Sequence, residues 1–224
     1  NISSFAWSPT GDFMAYFAEK DNEMGLVNAD PSGKNQTTIF RTPARDFHIS
    51  WVTKDKISLE SAPSGFAEGH LFLLTKSSGV LQKVIGPSYG LSSLWSPDGS
   101  KILVSETDKG GTGLKMAVKD PMGKIIYTFD NSTLTQKCVW FEIDKIYCAI
   151  PRVISSSSIW PDDYLRGEIN TADRIVLIDL KTNTVKEVFN EGGFDVSELT
   201  ISKDGKNLFF VERVTGELWV LQLK

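Results

Sequence analysis

One short phrase returns along this chain at nearly constant spacing. Trp-Ser-Pro-Thr-Gly at residues 7–11 recurs as Trp-Ser-Pro-Asp-Gly at 95–99 and, in weaker form, at 201–205. Two further tryptophans fill the gaps, and the successive anchors lie 44, 44, 45 and 61 residues apart at Trp7, Trp51, Trp95, Trp140 and Ile201. A period of about 40–45 residues is typical of one β-propeller blade. The spacing therefore predicts a chain made of five such repeats.

Each repeat contains four short runs in which Val, Ile, Phe and Tyr alternate with polar residues at close to period two. Such runs, separated by Gly, Pro, Asn and Ser, are typical of antiparallel strands joined by tight turns. The turn after the third run recurs in phase at 31–33, 77–79, 121–123 and 181–183. The expected fold is all-β, a β-propeller of four-stranded antiparallel blades. No segment is predicted to form an amphipathic helix.

We predict a single propeller domain over residues 1–224, excised from a longer protein because the chain begins inside a strand and without Met. The long fourth step leaves an insert at 153–172 between the second and third strands. The fifth repeat lacks its outer strand, which fits either a five-bladed ring with an incomplete blade or an arc of a six- to eight-bladed ring; we favour the arc. The predicted repeats cover about 1–42, 43–86, 87–130, 131–191 and 192–224.

The tryptophan that ends a first strand is predicted to pack in the core between neighbouring blades. A large aromatic side chain at a repeated position stabilises a fold most when it is buried. The residues concerned are Trp7, Trp51, Trp95 and Trp140.

Charge and hydropathy argue against two kinds of partner. The net charge is −4 and the isoelectric point about 5.3, with both signs scattered along the chain. A nucleic-acid-binding domain normally carries a basic stripe, so nucleic acid is not an expected partner. No apolar run approaches the roughly 20 residues that a membrane-spanning helix needs, so direct membrane insertion is not expected.

Cys138 and Cys148 flank a predicted hairpin. A three-residue loop at 142–144 would place them opposite each other, with Cβ atoms about 4.5–5.5 Å apart. A two-residue loop would shift the register by one and separate them. Two interpretations are possible: the cysteines are a pair of buried thiols that act as small apolar residues, or they form a cross-strand disulfide outside the cytoplasm.

The chain offers little that resembles catalytic machinery. Gly86-Pro87-Ser88-Tyr89-Gly90 matches the G-x-S-x-G pattern, but a strand is expected after it where a nucleophile elbow needs a helix, so we interpret it as an inter-blade loop. His48 and His70 stand alone, without a second ligand at metal-binding spacing. We therefore predict a protein that is not an enzyme, with no catalytic residues, no metal and no cofactor.

The Trp-Ser-Pro-(Asp/Thr)-Gly turns followed by hydrophobic strands resemble the TolB-type, WD40-like (PD40) propeller repeat, and so does the segment at 25–33. The likeness covers nearly the whole chain except the insert, although repeats two and four lack the Pro and Gly. It implies an extracytoplasmic interaction module more than an enzyme, since such repeats occur in periplasmic TolB and in propellers that gate prolyl-oligopeptidase-like enzymes.

Loops that join the second strand to the third share one face of a propeller with the loops between blades. In this chain these loops are rich in aromatic residues and arginine, the types that dominate binding hot spots. We interpret this face as a partner-binding surface with the insert as its largest element; alternatively, the aromatic side chains only anchor their own loops. The candidate residues are Arg45, Phe47, Phe66, Tyr89, Arg152, Trp160, Tyr164, Arg166 and Phe194.

Together these features favour a non-catalytic propeller that binds a protein or peptide at a bacterial cell envelope, in the periplasm or at the cell surface. One alternative is the substrate-gating propeller of a prolyl-oligopeptidase-like hydrolase whose catalytic domain is absent from this sequence. A metal-dependent propeller lactonase is a further alternative.

Overall fold

The computed structural model describes residues 2–20 and 23–223. Within them the chain is almost entirely antiparallel β-structure, which confirms the predicted fold class. It forms two compact units: the first unit comprises residues up to 62 together with 69–87, and the second unit comprises 63–68 together with 88–223. The single-domain organisation and its repeat boundaries stay a prediction.

The first unit contains two repeats. Its first sheet has four strands in chain order, β1 (Ile2–Trp7), β2 (Met14–Lys20), β3 (Glu23–Ala29) and β4 (Thr37–Thr42). The second repeat consists of β5 (Phe47–Thr53), β6 (Lys56–Ser61), β7 (Glu68–Thr75) and the beginning of β8 (Val80–Trp95). Its core includes Phe17, Leu26, Ile57 and Leu59, all essentially inaccessible to solvent.

The second unit contains the remaining three repeats. The third repeat consists of the end of β8 with β9 (Ile102–Thr107), β10 (Lys115–Lys119) and β11 (Ile125–Thr128). The fourth has β12 (Cys138–Glu142), β13 (Lys145–Pro151), β14 (Asp173–Asp179) and β15 (Thr184–Phe189). The fifth has only three strands among the described residues, as predicted: β16 (Val196–Ile201), β17 (Asn207–Glu212) and β18 (Leu218–Gln222).

The repeated turn is built by hydrogen bonds to its aspartate. Ser96 Oγ and Ser100 N donate to Asp98 Oδ1 at 2.7 and 3.0 Å, and Gly99 takes a positive φ of 71° that favours glycine. Burial raises the pKa of Asp98, but the Ser96 and Ser100 hydroxyls outweigh burial and hold the pKa below its usual value. The motif therefore recurs because each residue type has a role in closing the hairpin.

Three of the four anchor tryptophans are buried as predicted, and one is not. Trp51, Trp95 and Trp140 are 7–9% exposed, and the Trp140 indole donates to the Leu94 carbonyl of the preceding repeat at 3.0 Å. Trp7 is 50% exposed, so its predicted place in the core is wrong. Its ring lies edge-on to that of Phe5, with the two centroids 5.3 Å apart.

The G-x-S-x-G string at 86–90 lies inside strand β8, so its interpretation as a loop is wrong. Within the string, Tyr89 pairs with Thr107 of β9, and the register of β8 against β9 shifts between Tyr89 and Ser92. A helix does not follow the string in the described chain either, because residues 88–95 continue the strand.

Cys138 and Cys148 form a disulfide, with an S–S distance of 2.10 Å, between strands β12 and β13. The hairpin has a two-residue turn between Glu142 and Lys145, and a bulge between Trp140 and Glu142 restores the register that places the cysteines opposite each other. Both cysteines lie in the core of the second unit, 5% and 0% exposed. The disulfide alternative is the one that the structure contains.

The insert contains the one α-helix of the described chain, α1 (Asp162–Arg166). The sequence pattern does not predict this helix. Five residues are too few to display an amphipathic period. Asp162 and Asp163 lie in the first turn, and Gly167 ends the helix with a left-handed φ of 78°. Helix α1 is far too short to cross a membrane, and the same holds for every helix within the described ranges.

Removal of the disulfide should weaken the second unit measurably. The cross-link spans 10 residues, and the chain-entropy account of disulfides predicts a loss of about 2–3 kcal/mol in unfolding free energy for the double substitution Cys138→Ala and Cys148→Ala. Urea denaturation followed by tryptophan fluorescence measures this loss. Unchanged stability in the double variant would show that the bridge contributes nothing to folding.

Candidate functional site

The insert, residues 153–172, folds back onto the second unit around two stacked aromatic rings. The rings of Trp160 and Tyr164 lie 5.8 Å apart with an interplanar angle of 19°. Both side chains are buried together with Leu134, and Leu114 and Ile169 pack against them. The insert is therefore a packed element with a small apolar core of its own.

Three loops of the second unit meet at what we call the loop junction: residues 63–66, 108–113 and 159–162. Ser64 Oγ and Gly65 N donate to the carboxylate of Asp162 at 3.0 and 2.7 Å. Gly110 N donates to the Gly65 carbonyl, and Trp160 N donates to the Gly111 carbonyl, both at 2.8 Å. Each loop is thus fixed by bonds to the other two.

The loop junction leaves no room for a side chain at Gly65. A Cβ at this position would lie 2.7 Å from Gly111 N and 2.7 Å from the Trp160 carbonyl oxygen. Backbones that approach this closely require glycine, since a methyl group would force them apart. The glycines at 65 and 111 therefore permit the contact that positions the insert.

A second attachment of the insert is the ionic cluster, formed by Lys137, Tyr164, Thr171, Asp173, Asp195 and Arg213. Lys137 follows strand β11 in a short 3₁₀ turn, Thr135–Lys137, and its side chain is completely buried. Its Nζ donates to Asp173 Oδ2 and Asp195 Oδ1, both at 2.7 Å, and to Thr171 Oγ1 at 2.6 Å. The ammonium also lies 4.7 Å from the centre of the Tyr164 ring. A buried ammonium is tolerated only with such compensation.

Asp195 accepts hydrogen bonds from several elements at once. Besides Lys137, Tyr164 OH and Thr171 Oγ1 donate to its Oδ1 at 2.9 Å, and Thr171 N donates to Oδ2 at 3.2 Å. Arg213 Nη1 lies 3.5 Å from Oδ2. Burial raises the pKa of Asp195, but Lys137, Thr171 and Tyr164 together outweigh burial and hold the pKa below its usual value. The carboxylate is therefore ionised at neutral pH.

The net pKa shifts of Asp173 and Tyr164 are upward, opposite to that of Asp195. Burial raises the pKa of Asp173, and the charge of Lys137 offsets this only in part. Burial likewise raises the pKa of Tyr164, and the adjacent Asp195 carboxylate adds to the shift, so the phenol stays protonated and remains a donor. Asp173 Oδ1 is buried and has no hydrogen-bond partner within the described chain. Asp173 is thus the strained member of the ionic cluster.

Arg213 completes the attachment. Its guanidinium lies 4.1 Å from the centre of the Tyr164 ring and donates to the backbone carbonyls of Tyr164 and Ile169. One arginine at the end of strand β17 therefore holds both the helix and the segment that follows it.

The predicted partner-binding residues of the second unit fall into two groups. Phe66 is 60% exposed, and Tyr89 and Phe194 are half-buried. Trp160 and Tyr164 are only 2% and 1% exposed, so they support the insert from within and are not available as contacts in this conformation. The packing of each loop decides which of its aromatic side chains face solvent.

The predicted arginines are held by neighbouring groups. Arg166 pairs with Asp163 at 2.8 Å and with Glu168 at 2.7 Å. Arg152 donates to the Asn190 side chain and carbonyl, both at 2.9 Å, and to the Gly192 carbonyl at 3.4 Å.

Two further predicted residues belong to the first unit. Arg45 pairs with Glu19 at 2.7 Å on the surface. The ring of Phe47 stacks 6.1 Å from that of Phe17 and lies edge-on to Phe72 at 6.2 Å. Phe47 therefore contributes to the core of the first unit.

Two grooves of the second unit differ in character. A groove of about 240 Å³ beside the insert is lined by apolar Leu114, Ile150 and Ile154 and by polar Asn131 and Arg152. A larger groove of about 610 Å³ lies at the hairpin turns around Phe141, where Lys145 is paired with Glu142. Within the described residues, no group of three or more His, Cys, Asp or Glu is placed to hold a metal ion.

Comparison with solved structures identifies the fold and leaves the function open. The hydrazine synthase chain of Kuenenia stuttgartiensis superposes with a TM-score of 0.68 at 13% identity, over 100% of this chain and 65% of that one. TolB from Acinetobacter baumannii gives 0.64 at 16% identity, over 99% and 52%. The β-propeller domain of the trilobed protease from Pyrococcus furiosus gives 0.62 at 14% identity, over 99% and 68%.

These similarities show a β-propeller fold shared by proteins of different activities. The chain spans only 65% and 52% of the first two relatives, and 818 solved chains match it, so likeness of fold does not single out one function. No protein-family model matches the sequence, and no curated protein does.

Replacement of the buried ammonium should lower the free energy of unfolding far more than replacement of an exposed ammonium. Lys137→Met leaves two buried carboxylates without their cation, which should lower the unfolding free energy by about 3–5 kcal/mol. The matched control is Lys124→Met on an exposed turn, expected to stay within about 0.5 kcal/mol of the wild type. Guanidinium denaturation compares the two, and equal losses would contradict the assigned role of Lys137.

A methyl group at Gly65 should loosen the loop junction. Gly65→Ala forces Gly111 and Trp160 away and should destabilise the contact by about 1–3 kcal/mol, whereas Gly193→Ala has open space and should be neutral. Limited proteolysis should cut the 153–172 segment faster in Gly65→Ala only. Equal cleavage of both variants would mean that the junction does not hold the insert.

Proposed function

We propose that this chain is part of a non-catalytic propeller that binds a protein or peptide through the loop junction and the insert of the second unit. The observation that carries the proposal is Phe66, a large aromatic side chain that is 60% exposed on a loop fixed by Asp162. An exposed aromatic residue on a fixed loop stabilises a complex by burial on binding.

The order of the loops supports binding without large rearrangement. Asp162 begins the helix that carries Leu165, which is 46% exposed, and the same carboxylate accepts the hydrogen bonds of Ser64 and Gly65 beside Phe66. Loops that are already ordered lose little conformational entropy when a partner binds. A protein partner could therefore dock on Phe66 and Leu165 at low entropic cost.

The groove beside the insert supports a polypeptide partner more than a small molecule. Its volume of about 240 Å³ is below the roughly 300–1,000 Å³ that is usual for small-molecule pockets. Its mostly polar lining, with hydrogen-bonding groups on Asn131, Ser132 and Arg152, suits the backbone of a peptide.

We place this function outside the cytoplasm. The disulfide between Cys138 and Cys148 supports this location, because such bonds form and persist in oxidising compartments. The resemblance of the repeats to the TolB type favours a bacterial envelope.

A second candidate is a propeller that controls access to a hydrolase domain. The observation in its favour is the similarity to the propeller domain of the trilobed protease. In that case the contact made by Phe66 would be to a domain of the same protein instead of a separate partner.

Site-specific photo-crosslinking tests the proposal. p-Benzoylphenylalanine in place of Phe66 should give a defined cross-linked product in envelope extract, and in place of Met122, which is 77% exposed on a turn of the same unit, it should not. Excess unlabelled wild type should suppress the product and excess Phe66→Ser should not. Identical products from both positions, or none from position 66, would overturn the proposed binding surface.

A further inference from the structure

The insert leaves the sheet through paired strands. Strands β13 and β14 stay in register up to Pro151 opposite Asp173, and Arg152 N donates to the Ala172 carbonyl at 2.9 Å. The two ends of the insert are therefore held together by the pairing of β13 with β14. The segment between them contacts the rest of the second unit through side chains and loops.

We propose that the Asp195 carboxylate is a latch: while it is ionised the insert stays closed, and when it is neutralised residues 153–171 open as a unit and strands β12–β18 stay folded. This inference deepens the proposed function, since the insert carries part of the proposed binding surface. The opening itself does not require a partner.

The contacts to Asp195 explain why its loss would act on the whole insert. Its carboxylate binds the helix through Tyr164 OH and the end of the insert through Thr171. It also faces Arg213, which in turn holds the carbonyls of Tyr164 and Ile169. A neutral side chain at this position weakens the contacts that Tyr164, Thr171 and Arg213 make to the carboxylate at once, because hydrogen bonds to a charged acceptor are the stronger ones.

The charged groups around Asp195 also explain why the sheets should stay folded when its carboxylate is neutral. The charged and titratable groups that surround Asp195 are Lys137, Asp173, Arg213, Tyr164 and Glu212, whose Oε1 accepts from Asp195 N at 3.4 Å. If Asp195 is neutral, Lys137 keeps Asp173 at 2.7 Å, and Arg213 can turn to solvent, because its side chain is already 22% exposed. In the Asp195→Asn variant the buried ammonium therefore keeps Asp173 as its partner.

Hydrogen–deuterium exchange of the intact chain at neutral pH tests the latch. Asp195→Asn should speed exchange of the amides at 160–171 by about tenfold or more, while amides in β13, β14 and β17 change less than about twofold. Asp130→Asn changes an exposed carboxylate of the same unit, so it is the matched control and should leave exchange in both sets of amides unchanged.

Tyr164→Phe keeps the stacked ring and removes only the hydroxyl donor to Asp195, so it should give a smaller increase confined to the same amides. This variant serves if Asp195→Asn fails to fold. Unchanged exchange at 160–171, or an equal increase in the sheets, would overturn the latch. Neither result bears on the cross-link at position 66, so failure of the latch and failure of the proposed function are separate outcomes.

Discussion

The placement of the insert depends on one electrostatic constraint: an ammonium group that is completely buried must be surrounded by acceptors. Lys137 meets this requirement with Asp173, Asp195 and Thr171, which lie on two different repeats and on the insert. Because each acceptor has to be within about 3 Å, the repeats and the insert have little freedom to shift. A cluster of this kind contributes little net stability but specifies one arrangement over its alternatives.

The repeats were predictable because their signals are local. Serine, aspartate and glycine at 96, 98 and 99 close a hairpin through contacts within four residues, so their recurrence alone places the strands. Burial of the anchor tryptophans was less predictable than the strands. Trp140 is buried and donates to the Leu94 carbonyl, whereas Trp7 is 50% exposed, although both lie in the first strand of a repeat.

The candidate site was less predictable because its residues are distant in sequence. Asp195 meets Lys137 across 58 residues and Tyr164 across 31, with no periodic spacing to link them. Loop aromatic residues were recognised, but the sequence does not tell whether such a ring packs inward, as Trp160 does, or outward, as Phe66 does. The disulfide lies between these extremes, since the hairpin predicted the proximity of the cysteines and a bulge decided their register.

Residues that recur in each repeat differ in role from residues that occur in one repeat only. Turns such as Ser96–Gly99 recur because they build strands, so they carry no information that differs from blade to blade. The insert breaks the repeat, and nothing in the hydrogen bonding of β13 and β14 requires it, because Arg152 and Ala172 already close that hairpin. The sheet does not need this segment, yet a buried ionic cluster and three interlocked loops keep it in one position, which is why the proposed binding surface is centred on it.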